Sequence, residues 1–582
     1  MTTDATEYKL IAERAENRVL RKSWKRFCEG SGRTHDYLNE ILVKRILRVV
    51  SVAGAVIAAA FCAASQAPAL ETGSATSTPV AATDSTAPKL IVLLLVDQLR
   101  ADLLDRYADL YTGGFKRLRD QGYSYVNASH DYSSTETAVG HASLATGVYP
   151  SRHGVIANAW YEMYNGAWKQ VISIDDSTVQ IVGVPGRLGA SPTHQMRTGF
   201  AEWLTAANPR SKVASVSGKD RGAIQSASHT KGYVYWFDVS AGRFVTSTYY
   251  RSADPDWVTA FNAGPLQAHR ADTVWSLQAP ASVLARANPD TSAFEGDGVL
   301  SYFPHRFSDL GRPDVFWSWW LATPNLDVAT LDFAETMVSS LELGKDDAPD
   351  FLNVSLSATD LVGHGYGPHS REQLDNLLRL DRELGQFFDY LDSKVGKGRW
   401  TMMLTADHGV MDMPEDRVKR GEHGHRITPA EVEQINNVRA DAMANPDKRA
   451  GARKLVADLK KLPLVADAWL RDDLMKGQPT DSFAVLQKRS LYEGRLEGWV
   501  AREGVEFRFK PGVLTLPRGT SHGQTYWYDR HVPMIFMGGG IPAGKDPSRA
   551  ATVDMAPTFS AMLGIPYPKD LDGKVLTAVV KK

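Results

Sequence analysis

Lys89-Leu-Ile-Val-Leu-Leu-Leu-Val-Asp97 places seven unbroken apolar residues in front of a carboxylate. A half-exposed strand would alternate apolar and polar side chains. A run without alternation predicts a strand buried on both faces, as in parallel sheets covered by helices. Four more short apolar runs follow, at 212–217, 351–357, 401–405 and 532–537. Helical patterns lie between them, clearest at 370–394, where Leu374, Leu377, Leu378, Leu384, Phe388 and Leu391 share one face. Strands alternating with helices predict an α/β fold, a doubly wound and mostly parallel central sheet flanked by helices. Sites in such folds form beyond the carboxyl ends of the strands. Asp97, Lys219, Asp360 and Asp407 each stand just after one of these runs.

Two stretches interrupt the pattern. Residues 222–345 are rich in Trp, Tyr, Phe, Gly and Pro, and residues 415–520 carry many charges. Both read as insertions that cap the core, within one catalytic domain over residues 89–582. The aromatic clusters, such as Tyr-Val-Tyr-Trp-Phe-Asp at 233–238, read as packing rather than as base-stacking platforms.

Residues 1–64 read as an N-terminal extension and residues 65–88, rich in Ala, Ser, Thr and Pro, as a flexible linker. Within the extension, Lys44, Arg45 and Arg48 precede an apolar run at 49–64, and small residues follow. The run is short for a membrane span, and the pattern over 44–67 predicts a secretory signal. An uncleaved anchor is the lesser reading. The true start is expected near Val43, with the stretch ahead of it lying outside the native protein. Export to the periplasm or beyond follows, with no lasting membrane partner. Both cysteines, Cys28 and Cys62, precede the linker, so the catalytic domain has neither disulfide nor thiolate ligand. A net charge of -1 argues against nucleic acid as a partner.

Any metal must therefore be held by His, Asp and hydroxyl groups. Asp97, Asp360, His364, Asp407, His408 and His522 supply them, in the motifs Asp-x3-His, Asp-His-Gly and Thr-Ser-His-Gly. Imidazole nitrogen and carboxylate oxygen suit zinc, and six such donors suffice for two ions. A nucleophile should lie between them. Ser133, Ser134, Thr135 and Thr137 precede an expected helix at 142–146, where the helix dipole favours an anion. Composition does not choose among these four. His141 reads as a buried histidine bonded to the core, and His423 and His425 as a solvated loop. His369 and His531 receive no role.

On these motifs the chain resembles the alkaline phosphatase superfamily from about residue 89 to the end. It looks nearest to the nucleotide pyrophosphatase/phosphodiesterase branch and to bacterial alkaline phosphatases with a threonine nucleophile. The resemblance selects Thr137, four residues before the Gly140-His141 histidine. It implies one zinc on Asp360, His364 and His522, and a second on Asp97, Asp407, His408 and the Thr137 oxygen. It implies Asn158 as a contact for the phosphoryl oxygen, and a phosphothreonine intermediate. Lys219 and Arg221 match the Lys-x-Arg pair of the monoesterases, which the diesterases lack. Physically, a monoester dianion carries one more negative charge than a diester, and two cations favour it. No Cys/Ser-x-Pro-x-Arg motif stands near the nucleophile, which argues against a sulfatase. The implied function is hydrolysis of small phosphate monoesters, with diester hydrolysis on the same site as the alternative; the oligomeric state is left open, with a monomer favoured. A non-catalytic metal-binding surface module ranks below both.

Overall fold

The structure is a computed structural model that describes residues 88–580 apart from 291, 297–299 and 499. The expected N-terminal extension, the signal-like segment and nearly all of the linker lie outside the described residues.

Nine strands form the central sheet. In chain order they are β1 (Leu90–Val96), β2 (Tyr123–Ser129), β3 (Val213–Ser217), β4 (Tyr233–Asp238), β5 (Arg243–Val245), β6 (Asp350–Leu356), β7 (Trp400–Thr405), β8 (Met534–Gly538) and β9 (Gly544–Ala551). Their spatial order is β9-β2-β8-β7-β1-β6-β3-β4-β5. The five central strands, β7-β1-β6-β3-β4, are mutually parallel. All five apolar runs of the sequence are strands of this sheet.

β1 shows why. Every one of its side chains is fully buried. Leu90, Val92, Leu94 and Val96 enter one core cluster, while Ile91, Leu93 and Leu95 enter another on the opposite face. Each such side chain contributes about 1.5–3 kcal/mol through burial. Five helices matter for the site: α1 (Thr137–Thr146), α2 (Asp220–Ala227), α3 (Asn325–Ser340), α4 (Ala358–Tyr366) and α5 (Arg371–Leu391). α5 is the long amphipathic helix of the sequence, capped by Ser370, whose side chain accepts from the Gln373 N–H at 3.0 Å. It packs with α3 on the face that holds Val92 and Leu94, while Leu144 of α1 joins the other face.

Three departures from the sequence reading have physical reasons. β8 runs antiparallel to β7. A strand buried on both faces is apolar throughout in either direction, so its sequence does not reveal its sense. The stretch 222–345 is not wholly an inserted cap, since β4, β5 and α3 belong to the core. The Tyr-Val-Tyr-Trp-Phe-Asp run is β4, parallel to β3. Its rings fill the core, with Phe237 against Trp320 at 5.3 Å and Tyr235 against Phe333 at 5.4 Å. Finally, α1 begins at Thr137 itself and not at residue 142. Within the 415–520 stretch, Val432, Ile435, Leu455, Val465 and Phe509 meet in a small cluster of buried side chains.

Gly140 fixes how closely α1 approaches the sheet. A Cβ there would run into the Asp407 carbonyl oxygen and its Cβ. Gly140→Ala is expected to destabilise the fold by about 1–3 kcal/mol through overpacking. Thermal unfolding checks this, and an unchanged Tm would show that α1 yields at that point.

Candidate active site

Asp97, Asp360, Asp407 and Lys219 come together because β7, β1, β6 and β3 are adjacent and all point the same way. Asp97 follows β1 directly. Asp360 lies in the first turn of α4, and His364 one turn later on the same face. Asp407 and His408 follow β7. Lys219 is the residue that caps α2. His522 arrives from the end of the 415–520 module. It is anchored by Thr520, whose N–H donates to the His364 carbonyl at 3.0 Å and whose hydroxyl donates to the Met411 carbonyl at 2.7 Å.

The donors fall into two overlapping groups, Asp360 with His364 and His522, and Asp97 with Asp360 and His408. These are the two groups of three metal-type donors found among the described residues. His364 Nε2 lies 3.2 Å from Asp360 Oδ1, and His522 Nε2 lies 3.7 Å from the same oxygen. His408 Nε2 is 3.5 Å from Asp97 Oδ1 and 3.7 Å from Asp407 Oδ2. The first group matches the ligand set implied by resemblance. The second group takes in Asp360, which belongs to both, in place of the expected Asp407. Asp407 still faces His408.

Each imidazole is oriented by a carbonyl behind it. Nδ1 of His364 meets the Thr520 carbonyl at 2.8 Å, Nδ1 of His522 meets Thr135 at 2.6 Å, and Nδ1 of His408 meets Gly409 at 2.9 Å. A carbonyl only accepts, so each Nδ1 donates, which leaves Nε2 of the neutral ring as the atom available to a metal. Burial pushes His408 and His522 well below the ordinary imidazole range, keeping them neutral as metal ligation requires. Burial opposes protonation of His364 as well, but the Asp360 carboxylate outweighs it and raises that group.

The carboxylates show the opposite stress. Burial, reinforced by Asp360 and Asp407, pushes Asp97 well above the usual carboxyl range. Burial lifts Asp407 to about 6. Burial would also lift Asp360, but His364 and Lys219 hold it well below its ordinary value. Lys219 Nζ lies 2.6 Å from both Asp97 Oδ2 and Asp360 Oδ2. Burial disfavours that ammonium, and the two carboxylates more than compensate. Two of the three buried carboxylates therefore share one lysine. Asp97 Oδ1, Asp407 Oδ2 and His408 Nε2 are buried without a hydrogen-bond partner and face the same space. This donor set fits divalent cations, which would satisfy both the charge and the orphaned atoms.

Thr137 is the hydroxyl at this cluster. Its Oγ1 lies 3.4 Å from Lys219 Nζ. The Ser134 hydroxyl instead donates to Glu497 at 3.0 Å and the Thr135 hydroxyl to the Gln524 carbonyl at 3.0 Å. Asn158 is tied to the start of α1. Its Oδ1 accepts from the Ala138 N–H at 2.9 Å, and its own N–H donates to Glu136 Oε2 at 2.7 Å. Arg221 lies in the first turn of α2, with Nη1 3.4 Å from Asp220 Oδ1. Lys219 thus reaches the carboxylates, whereas the sequence reading placed it with Arg221 around the substrate.

The sequence reading missed Gln98. Its N–H donates to Asp407 Oδ1 at 3.2 Å and its Nε2 to Asp360 Oδ1 at 2.5 Å, bridging two of the carboxylates. It holds a left-handed backbone, φ 67°, rare for a residue with a side chain. Its only signal in sequence was adjacency to Asp97. His141 is buried with both nitrogens bonded, and burial draws it down to about 3. His425 pairs with Glu431 at 2.9 Å, and His423 Nδ1 meets the Pro511 carbonyl at 2.8 Å. His369 lies 3.7 Å from Asp412, and His531 stacks on Trp527 at 4.5 Å.

Phosphoryl-transfer hydrolases of the alkaline phosphatase superfamily are the class that this sheet and these donors define. Within it the chain belongs to the type I phosphodiesterase/nucleotide pyrophosphatase family, whose profile matches residues 91–530. It is 35% identical over 525 residues to alkaline phosphatase PafA of Elizabethkingia meningoseptica, covering 85% of this chain and 94% of that protein. It is 35% identical over 520 residues to alkaline phosphatase PhoV of Synechococcus elongatus, covering 85% and 93%. The crystal structure of PafA matches with a TM-score of 0.78 at 32% identity, over 85% of this chain and 99% of that one. A PafA variant substituted at a threonine, an asparagine, a lysine and an arginine matches with a TM-score of 0.77. Thr137, Asn158, Lys219 and Arg221 are the same four residue types in the same order.

Proposed function

We propose that this chain is an exported two-zinc alkaline phosphatase that hydrolyses small phosphate monoesters through a phosphothreonine intermediate. One observation carries the reading. The Thr137 hydroxyl and the Lys219 ammonium meet at 3.4 Å on the rim of the buried carboxylate cluster, with Arg221 two residues further on. Asp360, His364 and His522 would hold one ion, and Asp97, Asp407, His408 and the Thr137 oxygen the other. Bound there, the ions supply Lewis acidity toward the hydroxyl and the ester, and neutralise charge that develops in the transition state.

The chain's own groups do the rest. Thr137 Oγ sits at the N-terminus of α1, where the helix dipole favours negative charge. It attacks phosphorus in line, the ester P–O bond breaks and the alcohol leaves. Water then cleaves the phosphothreonine, releasing phosphate and restoring the hydroxyl. Asn158 offers its amide N–H groups, and Lys219 and Arg221 their charges, to the phosphoryl oxygens. Such positioning and electrostatic stabilisation carry most of the catalysis in phosphoryl transfer.

Zinc suits the imidazole-rich set better than magnesium or calcium. Among the described residues no helix is long and apolar enough to cross a membrane. Export rests on the signal-like pattern at 44–67, and we take the monomer as the working unit.

The diester reading gains from the family profile, whose name is that of a phosphodiesterase. One experiment separates the two. The purified protein is assayed on an aryl phosphate monoester and on its matched methyl diester, before and after chelation and zinc return. We expect the monoester to react faster by about a hundredfold or more. Chelation should remove both activities and zinc should restore them. A faster diester would establish the alternative, and chelator-resistant activity would remove the metals from the reading.

A further inference from the structure

Beneath the site, polar groups on four different elements join in a single chain. The Lys219 backbone N–H donates to Ser217 Oγ at 3.0 Å. The Ser217 hydroxyl donates to Ser355 Oγ at 3.1 Å. Ser355 Oγ and His141 Nε2 are 3.0 Å apart, and His141 Nδ1 and the Thr137 carbonyl oxygen 2.9 Å. The carbonyl can only accept, so Nδ1 carries the ring proton and donates it. Nε2 of the neutral ring must then accept, from the Ser355 hydroxyl. The sense of the Ser355–His141–Thr137 part is thereby fixed, while Ser217 Oγ also lies 3.4 Å from Ser357 Oγ, where either hydroxyl can donate.

The groups are built in. His141, Ser217 and Ser355 are all 0% exposed. Ser217 and Ser355 are register partners across β3 and β6, at the carboxyl ends of those strands. Apolar side chains there would fill the core without the desolvation that a buried hydroxyl must recover. Gly222 of α2 leaves them room, because a Cβ would approach Ser217 Oγ at 2.6 Å, Ser355 Oγ at 2.9 Å and His141 Nε2 at 3.3 Å. The same Nδ1 of His141 lies 3.4 Å from Asp407 Oδ2. The two ends of the chain are the backbones of the proposed nucleophile and of the proposed monoester-binding lysine. Those two residues sit on separate elements, α1 and the β3–α2 turn.

We propose that His141, Ser355 and Ser217 are positioning residues that hold Thr137 and Lys219 in register, and so help set the preference for doubly charged esters. The proposal rests on the roles of Thr137 and Lys219 given above. A satisfied buried polar network of this kind rigidifies the groups it joins.

The test uses Ser355→Ala, His141→Asn, the double variant and the parent enzyme, all zinc-loaded. The asparagine amide stands where Nδ1 was, keeping the bond to the Thr137 carbonyl while dropping the link to Ser355. Ser355→Ala removes one oxygen and keeps the strand, so it remains informative if a histidine variant folds poorly. kcat and KM are measured separately on the aryl monoester and its methyl diester, with zinc content and Tm as controls. Each single variant should lower monoester kcat/KM by about tenfold, as loss of a supporting hydrogen bond does. The diester rate should change by less than about threefold, and the double variant should be no worse than the worse single one. Equal losses on both substrates, additive losses, or a lower Tm with an unchanged ratio would overturn the relay. If the parent enzyme itself shows no monoester preference, the functional reading falls and the relay with it. If the parent keeps its preference and the variants share it, only the relay falls.

Discussion

Thr137→Ala ends covalent phosphorylation of the chain and lowers monoester hydrolysis by about ten-thousand-fold or more, the scale seen when a nucleophile is removed from an intact site. The alanine variant keeps the six carboxylate and imidazole donors but removes the Thr137 oxygen both as nucleophile and as a ligand of the second ion, so zinc content is read beside the rate. The expected observation is a phosphopeptide spanning Thr137 in acid-quenched parent enzyme, absent from the variant, with zinc content unchanged. Thr137→Ser should retain both the adduct and a substantial rate, because the hydroxyl stays at the head of α1. Geometry favours this residue over Ser134 and Thr135. Ser134 and Thr135 direct their oxygens to Glu497 and to the Gln524 carbonyl, whereas Thr137 Oγ1 meets the lysine that bridges Asp97 and Asp360. A labelled peptide surviving in Thr137→Ala would move the nucleophile to a neighbouring hydroxyl and displace the reading of the cluster built around it.

Asp97, Asp360 and Asp407, with His364 and His408 beside them, stand out in the sequence because they close strongly apolar strands or follow them closely, whereas His522 has no such strand before it. A run such as residues 90–96 has one physical explanation, and a carboxylate at its end has few structural uses. What surrounds the donors was not legible, for different reasons in each case. The sense of β8 was hidden because burial on both faces erases alternation. β4 passed as part of a cap because an aromatic strand near the edge of a sheet and an aromatic cap have the same composition. Gln98 carried no pattern at all, although it bridges Asp407 and Asp360. Ser217 and Ser355 looked like ordinary small strand residues. Only the register that places them opposite each other turns them into partners. Pairing across strands is a property of topology, and local sequence does not encode it.

The double variant Lys219→Ala, Arg221→Ala should cut monoester kcat/KM by about a thousandfold to ten-thousandfold, while diester hydrolysis falls by only about tenfold. The estimate takes each charged donor to the transferring group as about two to three orders of magnitude. The asymmetry follows from charge. A monoester dianion brings one more negative charge than a diester into a cavity already lined by Asp97, Asp360 and Asp407. Lys219 is placed to offset it, since its ammonium reaches Asp97 and Asp360 at 2.6 Å and the Thr137 hydroxyl at 3.4 Å. Arg221, in the first turn of α2, adds a planar fork that can bind two oxygens together, which a lysine at that position could not reproduce. Two controls keep the result interpretable. Zinc content must match the parent, because losing a cation from beside the carboxylates could alter metal loading and depress both substrates alike. Arg221→Lys should fall between the parent and the double variant, since it keeps the charge and loses the fork. Equal losses on monoester and diester at full zinc occupancy would mean that the pair serves the carboxylates rather than the ester. The preference for dianions would then have to come from the metal ions alone.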